Sequence, residues 1–182
     1  MEHPALTRIR DRSISTAEFR AGVYELAPVL MNHIQEKLPQ QASITLIYIL
    51  RAAVSFLDAG IRTFPSATVG IAGIRRDEHT AIAEWYYVNL PDISKDETYV
   101  IVDPMLATGG SADEVIQRLL SSGADARHIY FLGVIGAPEG LERITKSIPK
   151  DNVILGALDA GLDDKKFIVP GLGDFGDRFC GT

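Results

Sequence analysis

The sequence predicts an α/β fold with a mostly parallel central sheet flanked by helices. Continuous apolar runs of strand length occur at Ile44–Leu50, Ile129–Ile135 and Val153–Leu158, and such runs are typical of parallel strands that are buried on both faces. Segments with apolar residues at helical spacing separate the runs, as expected of βαβ units. The length of 182 residues suits a single domain, residues 1–182, with a sizeable core.

The composition argues against several classes of protein. Hydrophobic residues make up 46% of the chain and charged residues 23%, which is a globular composition. The formal net charge of −6 argues against a nucleic-acid-binding surface, and the single cysteine, Cys180, against a disulfide framework. We find no secretory signal and no apolar run near the roughly 18 residues of a membrane span. We therefore expect a cytoplasmic protein that does not bind membranes.

Residues 1–40 predict an N-terminal arm followed by a helix. Ser15 and Thr16 suit the start of a helix. The apolar residues that follow at helical spacing are Ala17, Phe19, Val23, Leu26 and Leu30. We expect this face to pack on the body of the protein rather than to carry chemistry.

Arginines follow two of the predicted strands. Arg51 comes directly after Ile44–Leu50, and Arg75 and Arg76 follow the strand predicted at Thr68–Ile74. Side chains at the carboxyl ends of parallel strands line the crevice in which such sheets bind ligands. The residues alone leave open that Arg51 only covers apolar surface with its stem, and that the other two arginines belong to a solvated turn.

The stretch Thr98–Ser111 combines a short apolar strand, an acid and a glycine loop. Proline disfavours the helical region for the residue before it. We therefore expect Pro104 to keep the carboxylate of Asp103 at the point where the strand ends. Apolar positions over residues 112–120 then predict a helix directly after the loop.

The loop before that helix is suited to a phosphate group. Gly109 and Gly110 lack a Cβ and let backbone N–H groups approach an anion closely. Thr108 and Ser111 add hydroxyl donors at the positive end of the helix. Because the carboxylate of Asp103 can hold ribose hydroxyls, the stretch predicts a site for a sugar phosphate.

Two other interpretations of the loop stay open from the residues alone. The same residue types commonly form the turn between a strand and a helix without binding a ligand. Ser111 and Glu114 also fit a capping box, which would occupy the serine hydroxyl without a ligand. In addition, Asp113 and Glu114 in the first helical turn would repel a phosphate on the helix axis.

The rest of the chain predicts a flap, a further helix and an irregular end. Residues 81–90 are rich in aromatic and β-branched residues and predict one arm of a β-ribbon flap. The sequence GAPEG precedes a short helix predicted at Leu141–Ile148. Residues 159–182 are too rich in glycine and aspartate to predict a regular element, and by default form a surface loop.

Several of these segments resemble the uracil phosphoribosyltransferase family. The motif DPMLATGGSA, residues 103–112, resembles the phosphoribosyl-diphosphate loop of that family, and DAGLDDKKFIVPGLGDFGDR, residues 159–178, resembles its uracil-binding hood. ILRA at residues 49–52 and GAPEG at residues 136–140 are similar to two further family motifs. The resemblance implies the type I phosphoribosyltransferase fold, with a β-ribbon flap and a hood over residues 159–182.

The resemblance also implies a reaction and the residues that serve it. Uracil and phosphoribosyl diphosphate would give UMP and diphosphate, with Mg²⁺ as the cofactor. The residues implied as catalytic are Arg51, Arg76, Asp103 and Asp174. The donor-binding set is Arg51, Arg76, Asp103, Pro104, Met105, Leu106, Ala107, Thr108, Gly109, Gly110, Ser111 and Asp174. The base-binding set is Ile168, Gly173, Asp174 and Phe175, and Asp174 would also hold the metal, directly or through water.

Some positions depart from the family pattern. Ala53 stands where relatives have glycine, Arg75 where they have an aromatic residue and Asn89 where many have lysine. Only residues 38–42 bridge the predicted N-terminal helix to the first strand, where relatives carry a longer insertion with an arm that makes subunit contacts. The resemblance implies a homo-oligomer, a dimer or a tetramer, and leaves GTP open as an activator.

Two alternatives to the implied reaction stay open. One is a non-catalytic, regulatory relative that binds phosphoribosyl diphosphate or UMP, which the departures from the family pattern motivate. The other is a transferase for a different base, a purine or orotate, against which the hood motif argues.

Overall fold

The computed structural model describes residues 3–76 and 83–182 of the chain. The strands are β1 (Ile44–Leu50), β2 (Thr68–Arg76), β3 (Ala83–Asn89), β4 (Thr98–Val102), β5 (Met105–Leu106), β6 (Ile129–Gly136), β7 (Val153–Leu158), β8 (Gly161–Leu162) and β9 (Ile168–Val169). The α-helices are α1 (Pro4–Arg10), α2 (Thr16–Gln35), α3 (Leu57–Thr63), α4 (Gly110–Ser121), α5 (Pro138–Ile144) and α6 (Phe175–Cys180).

Within the described residues, seven strands form one central sheet. Their order is β3-β2-β1-β4-β6, and both β5 and β7 pair with β6. Every pair in this sheet is parallel except β2 with β3, which is antiparallel. The predicted α/β fold with a mostly parallel central sheet is therefore confirmed.

The sheet is covered on both faces. One apolar cluster joins α1, α2 and the 3₁₀ turn Ala52–Phe56 to one face of the sheet, and a second joins α4 and α5 to the other. Strand β1 contributes alternately to the two clusters, with Leu46 and Tyr48 in the first and Ile47 and Ile49 in the second. Burial on both faces is the reason that this strand reads as a continuous apolar run.

The strand order reverses at one place, between β1 and β4. Strand β1 has β2 on one side and β4 on the other, so the connections that leave β1 and β4 diverge and open a crevice beyond their carboxyl ends. Ligands of open α/β sheets bind at such switch points. Arg51 and Asp103 are the first residues after these two strands.

Helix boundaries correct two predictions. The helix predicted at Leu141–Ile148 instead spans Pro138–Ile144, because proline at the first helical position lacks an N–H that the helix does not need there. The predicted N-terminal arm contains a helix, α1, that the residue pattern does not predict. His3 accepts a hydrogen bond from the backbone N–H of Ala5 at 3.2 Å and so caps helix α1.

The predicted N-terminal helix is α2, and its start is fixed by a capping box. The Ser15 hydroxyl accepts from the backbone N–H of Glu18, and the Glu18 carboxylate accepts from the backbone N–H of Ser15. Four of the five predicted apolar positions are buried, whereas Ala17 is exposed. Among the described residues, no helix is both long and apolar enough to cross a membrane.

The C-terminal residues 159–182 contain regular elements, contrary to the prediction. Strands β8 and β9 form a two-stranded antiparallel hairpin, and helix α6 follows. The Asp174 carboxylate caps α6 by accepting the backbone N–H of Asp177 at 2.8 Å. Two glycines of this segment, Gly171 and Gly173, lie in the turns before α6, where their φ angles are positive, at 64° and 84°.

Candidate active site

A cavity of about 1290 Å³ lies over the switch point between β1 and β4. Its wall includes Arg51 after β1, Asp103 after β4, and Met105 and Ala107 from the loop that follows. The opposite wall comes from the hood and contains four predicted base-binding residues: Ile168, Gly173, Asp174 and Phe175. The fold therefore brings predicted donor-binding and base-binding residues, more than fifty positions apart in the sequence, to one cavity.

Asp103 lies partly buried at the base of this cavity. Its backbone N–H donates to the carbonyl of Leu132 at 3.1 Å, which holds the residue to β6. Burial raises the pKa of the Asp103 carboxyl to about 7, and the nearby charge of Asp174 acts in the same direction. The backbone N–H of Met105, 3.4 Å from Oδ1, opposes this shift. The carboxyl group can therefore change charge near neutral pH.

The glycine loop is shaped by contact with helix α5. Gly109 has a φ of 73°, and a Cβ there would lie 2.9 Å from the carbonyl oxygen of Gly140. Both features require glycine at position 109. Helix α4 begins at Gly110 with its first backbone N–H groups unbonded within the helix, as at every helix start. The loop thus carries unbonded main-chain N–H groups, but residues 108–111 are not among those that line the cavity, and their contact with a phosphate stays a prediction.

The hydroxyl donors of the loop are free. Neither Thr108 nor Ser111 has a side-chain hydrogen bond within the described part of the chain, and both are partly buried. The capping box proposed for Ser111 and Glu114 is not formed, because Gly109 occupies the N-cap position without a side-chain bond. The interpretation of the loop as a simple capped helix start is therefore wrong.

Of the two acids predicted in the first turn of α4, only Asp113 lies there, and both acids contact other side chains. The Asp113 carboxylate accepts from Arg143 Nε at 2.8 Å, and the Glu114 carboxylate lies 3.4 Å from Trp85 Nε1. The charge of Asp113 is thus offset by an arginine of α5. This pairing removes much of the repulsion that the sequence predicts between these acids and a phosphate at the loop.

Pro104 and Leu106 lie on the inner side of the loop. Both side chains are buried. The carbonyl of Pro104 accepts from the backbone N–H of Val134 at 2.9 Å, and that of Leu106 from the N–H of Ala137 at 2.9 Å. These bonds tie the loop to β6 and the start of α5. Contact of these two residues with a donor molecule stays a prediction.

Of the two predicted diphosphate-binding arginines, the structure describes the side chain of Arg51 but not that of Arg76. The Arg51 side chain is 57% exposed and forms an ion pair with Asp177 of α6 at 2.7 Å. Arg76 ends strand β2, but its side chain lies outside the described residues, as do residues 77–82. Its neighbour Arg75 lines the cavity and lies 3.3 Å from Glu84.

Position 53 accommodates its alanine. Ala53 is fully buried in the 3₁₀ turn after Arg51. Within the described chain, the non-glycine residues with positive φ are Gln41 and Lys166. The backbone at position 53 therefore does not require glycine, and this departure from the family pattern does not distort the turn.

The base-side wall is made of main chain and buried side chains. Ile168 is 2% exposed, and the ring of Phe175 is 1% exposed and packs edge-on against Phe19 with centroids 5.2 Å apart. The Phe175 ring therefore packs into the core behind the wall, and contact of its main chain with a ligand stays a prediction. Gly173 lies between these two residues and lines the cavity.

The donor set at the cavity suits Mg²⁺ only as a partly hydrated ion. In the described part of the chain, no group of three or more His, Cys, Asp or Glu side chains is arranged to hold a metal. Asp174 uses Oδ1 to cap α6, while Oδ2 has no hydrogen bond to another described residue. One free carboxylate oxygen fits a hard cation whose other ligands are water and substrate oxygens.

Two lysines of the cavity were missed in the sequence. Lys165 and Lys166 lie in the turn between β8 and β9 and line the cavity. Asp163 fixes this turn by accepting the backbone N–H groups of Lys165 and Phe167, each at 2.9 Å. Neither lysine forms an ion pair within the described residues. Their position inside the hood motif was the available signal.

Comparison with known proteins places the chain in a family. A family model described as uracil phosphoribosyltransferase matches residues 32–182. The uracil phosphoribosyltransferases of Anoxybacillus flavithermus and a Geobacillus species are each 39% identical over 203 residues, with 100% of this chain and 96% of the relative covered. Because 203 exceeds the 182 residues of this chain, the relatives contain positions that it lacks.

Solved structures agree with this placement. The AQ2163 protein from Aquifex aeolicus is 31% identical with a TM-score of 0.87, covering 98% of this chain and 95% of that one. An orotate phosphoribosyltransferase from Aeropyrum pernix, at 18% identity and a TM-score of 0.52, covers 74% of this chain and 71% of its own and supports the fold alone. From its family match and its full-length relatives, the chain belongs to the uracil phosphoribosyltransferase family.

Proposed function

We propose that the protein transfers the phosphoribosyl group of phosphoribosyl diphosphate to uracil, giving UMP and diphosphate. One observation carries this proposal. The residues after β1 and β4 and the main chain of the hood, which the family motifs assign to the two substrates, line a single cavity at the switch point of the sheet. The family relatives named uracil phosphoribosyltransferase support the same reaction.

On the donor side, Asp103 binds the ribose of the sugar phosphate and the glycine loop binds its 5′-phosphate. The ionised carboxylate of Asp103 accepts hydrogen bonds from the ribose hydroxyls. The free N–H groups at the start of α4 and the hydroxyls of Thr108 and Ser111 donate to the 5′-phosphate. The ion pair of Asp113 with Arg143 keeps the first turn of α4 from opposing that phosphate.

The leaving diphosphate is the group that gains negative charge during the reaction. Arg51 and Arg76 stabilise it electrostatically. Because Arg51 is paired with Asp177, it exchanges that carboxylate for diphosphate oxygens when the donor binds. Asp174, together with substrate oxygens and water, would hold Mg²⁺, which would supply further positive charge to the leaving group. The family motifs point to no side chain as a general base for the uracil N–H, so we expect positioning and charge to carry most of the rate.

The base is read by main-chain atoms of the hood. At Gly173 and Phe175 the main chain offers N–H donors and carbonyl acceptors. A backbone N–H donates to uracil O4 and a carbonyl accepts from N3–H. Cytosine inverts both groups and leaves them unpaired, which lowers its use by orders of magnitude.

The reaction is tested by incubating the protein with uracil, phosphoribosyl diphosphate and Mg²⁺ and measuring UMP. Uracil-dependent formation of UMP and diphosphate in equal amounts is expected, with cytosine turned over at least about a hundredfold more slowly. Equal turnover of uracil and cytosine would contradict the proposal that main-chain groups of the hood select uracil. Adenine, hypoxanthine and orotate in the same assay test the alternative of a different base.

Absence of UMP would favour the non-catalytic alternative if the ligands still bind. In that case, phosphoribosyl diphosphate or UMP raises the thermal unfolding temperature without any turnover. Absence of both turnover and stabilisation would contradict the assignment of the cavity altogether.

A cytoplasmic homo-oligomer with GTP as an activator is part of the proposal. Edge strand β3 exposes Tyr87 and Val88 outside the cavity wall, at 48% and 40%, which supports a subunit contact. Light scattering measures the oligomer, and UMP formation with and without GTP measures the activation.

A further inference from the structure

Three consecutive carbonyl groups of the hood, directly before Gly173, are each held by a different arginine. The bonds are Arg12 Nη2 to Pro170 O at 3.3 Å, Arg10 Nη1 to Gly171 O at 2.9 Å and Arg178 Nη1 to Leu172 O at 2.6 Å. Two of these arginines come from the N-terminal segment, about 160 positions away.

The attachment through Arg10 includes a partly buried ion pair with Asp159. Arg10 is the last residue of α1, and its guanidinium binds both carboxylate oxygens of Asp159, with Nη1 at 2.8 Å from Oδ2. The Asp159 side chain is only 4% exposed. Its Oδ2 also accepts the backbone N–H of Gly171 at 2.8 Å. The ion pair therefore holds both the N–H and the carbonyl oxygen of Gly171.

Arg178 makes the reverse connection from the hood to the N-terminal segment. Besides the Leu172 carbonyl, it donates to the carbonyls of Ile9 at 2.6 Å and Asp11 at 2.7 Å. Its guanidinium lies 4.2 Å from the ring centre of Phe19. The end of α1 and the hood are thus joined by side-chain bonds to main-chain atoms in both directions.

The hood needs such external support because its own sequence does not fix its main chain. Gly171 and Gly173 both have positive φ angles, and glycine has more conformational freedom than any other residue. Recognition of a base by main-chain N–H and carbonyl groups requires those groups to be held within a fraction of an ångström. The arginine bonds end one residue before Gly173, which lines the cavity.

We infer that Arg10, through its ion pair with Asp159, is a positioning residue for base recognition. This inference rests on the proposed function and deepens it. The N-terminal segment acts at the base site without touching the substrate, since Arg10 is not part of the cavity wall. It orients the Gly171–Gly173 main chain, whereas Asp103 and the loop after it are held by main-chain bonds to β6 and Ala137.

The test compares Arg10→Lys with Arg8→Lys. Lysine keeps the charge but cannot bind two carboxylate oxygens and a carbonyl with a planar fork. Arg8 lies on the same helix and pairs with Glu25 of α2 at 2.6 Å, away from the hood. We expect Arg10→Lys to raise the KM for uracil roughly tenfold and to weaken discrimination against cytosine, with the KM for phosphoribosyl diphosphate within about twofold of wild type. Arg8→Lys changes neither constant.

Amide hydrogen exchange gives a readout that does not depend on turnover. The Gly171 N–H, which donates to Asp159, exchanges faster in Arg10→Lys than in wild type or Arg8→Lys. If the wild type forms no UMP, the proposed function fails, while this measurement still decides whether Arg10 orders the hood. Unchanged exchange, or KM values that rise equally for both substrates, would overturn the inference.

Asp159→Asn is the second variant if Arg10→Lys does not fold. Asparagine keeps the size of the side chain and one acceptor oxygen but loses the charge that attracts Arg10. The same selective rise in the KM for uracil is expected. A variant that folds with wild-type KM for uracil and wild-type exchange at Gly171 also refutes the positioning role.

Discussion

The donor side of the cavity is held by main-chain bonds to the sheet, whereas the base side is held by arginine side chains, two of them from the N-terminal segment. Asp103, Pro104 and Leu106 bond through their main chains to β6 or to the residue after it. By contrast, the carbonyls at Pro170, Gly171 and Leu172 bond to arginine side chains. The end of a strand is enough to position a carboxylate such as that of Asp103. The main chain of a glycine-rich segment needs additional bonds from side chains to fix its position.

The largest expected effect is on the donor side, at Asp103. In Asp103→Asn the amide cannot accept two charge-assisted hydrogen bonds from ribose hydroxyls, and we expect kcat/KM for phosphoribosyl diphosphate to fall roughly 100-fold. Asp96→Asn, at an exposed acid outside the cavity wall, is the control and keeps full activity. Steady-state kinetics at pH 8 measures both. Equal rates for the two variants would remove Asp103 from the mechanism.

The same residue predicts how stability depends on pH. The pKa of Asp103 is raised to about 7 in the folded protein, against about 3.9 in an unfolded chain. Between these pH values the folded state keeps a proton that the unfolded state has lost, so the free energy of unfolding falls as pH rises from about 4 to about 7. We expect Asp103→Asn to be more stable than wild type at pH 8, by on the order of 2–4 kcal/mol.

Urea unfolding at pH 4 and pH 8 checks this expectation. The difference between Asp103→Asn and wild type should fall below about 1 kcal/mol at pH 4, where the wild-type carboxyl is protonated in the folded state and about half protonated in the unfolded state. A constant difference at the two pH values would mean that burial does not raise the pKa of Asp103. The pair of measurements also separates loss of activity from loss of folding, since the variant is expected to be less active and more stable.

On the base side, the matching test concerns Gly171. An alanine there would adopt a left-handed conformation and its Cβ would collide with the carbonyl oxygen of Ile168. Gly123 also has a positive φ, of 101°, but a Cβ there meets nothing within 4 Å. We expect Gly123→Ala to cost about 1 kcal/mol and Gly171→Ala about 2–4 kcal/mol of unfolding free energy.

Chemical unfolding of the two glycine variants isolates the collision from the conformational cost. Gly171→Ala should also lose affinity for uracil, whereas Gly123→Ala, at the end of α4, should not. Equal losses of stability would show that the hood main chain can relax around a Cβ, and would weaken the contrast between the two sides of the cavity.

The contrast also explains which parts of the molecule the sequence predicts. The donor side was predictable because its signals are local: a buried strand, Asp103 before a proline, and glycines before a helical pattern. The same holds for Arg51 after β1. The partners of these residues were not predictable, since the bond from Arg51 to Asp177 and that from Arg143 to Asp113 join segments 126 and 30 positions apart.

The base side was predicted only through family resemblance. Helix α6 was missed because its glycine masks a helical pattern, although Asp174 is a typical N-cap residue. The role of Arg10 was missed because the bond to Asp159 spans 149 positions. Such side-chain-to-main-chain contacts leave no periodicity in the sequence, so residue patterns cannot reveal them.

A smaller effect on the donor side is expected from the ion pair between Arg143 and Asp113. Arg143→Gln leaves the Asp113 charge uncompensated in the first turn of α4, where it opposes a bound phosphate. Because the pair is partly exposed, we expect the KM for phosphoribosyl diphosphate to rise only about threefold. The double variant Arg143→Gln/Asp113→Asn should recover the wild-type value. Failure of the double variant to do so would mean that Arg143 acts on the loop in another way.

The smallest expected effect is at Lys166, in the turn between strands β8 and β9 of the hood. This residue has a positive φ of 67° and lines the cavity. Arg51 and Arg75 line the same cavity but are engaged by carboxylates. Lys166→Gly removes a free positive charge and suits the left-handed backbone, so unfolding free energy should stay within about 1 kcal/mol of wild type. The KM for phosphoribosyl diphosphate should rise about twofold at low salt and less at high salt. Lys166→Arg keeps the charge and should match wild type; the same KM in both variants would mean that this lysine does not attract the donor.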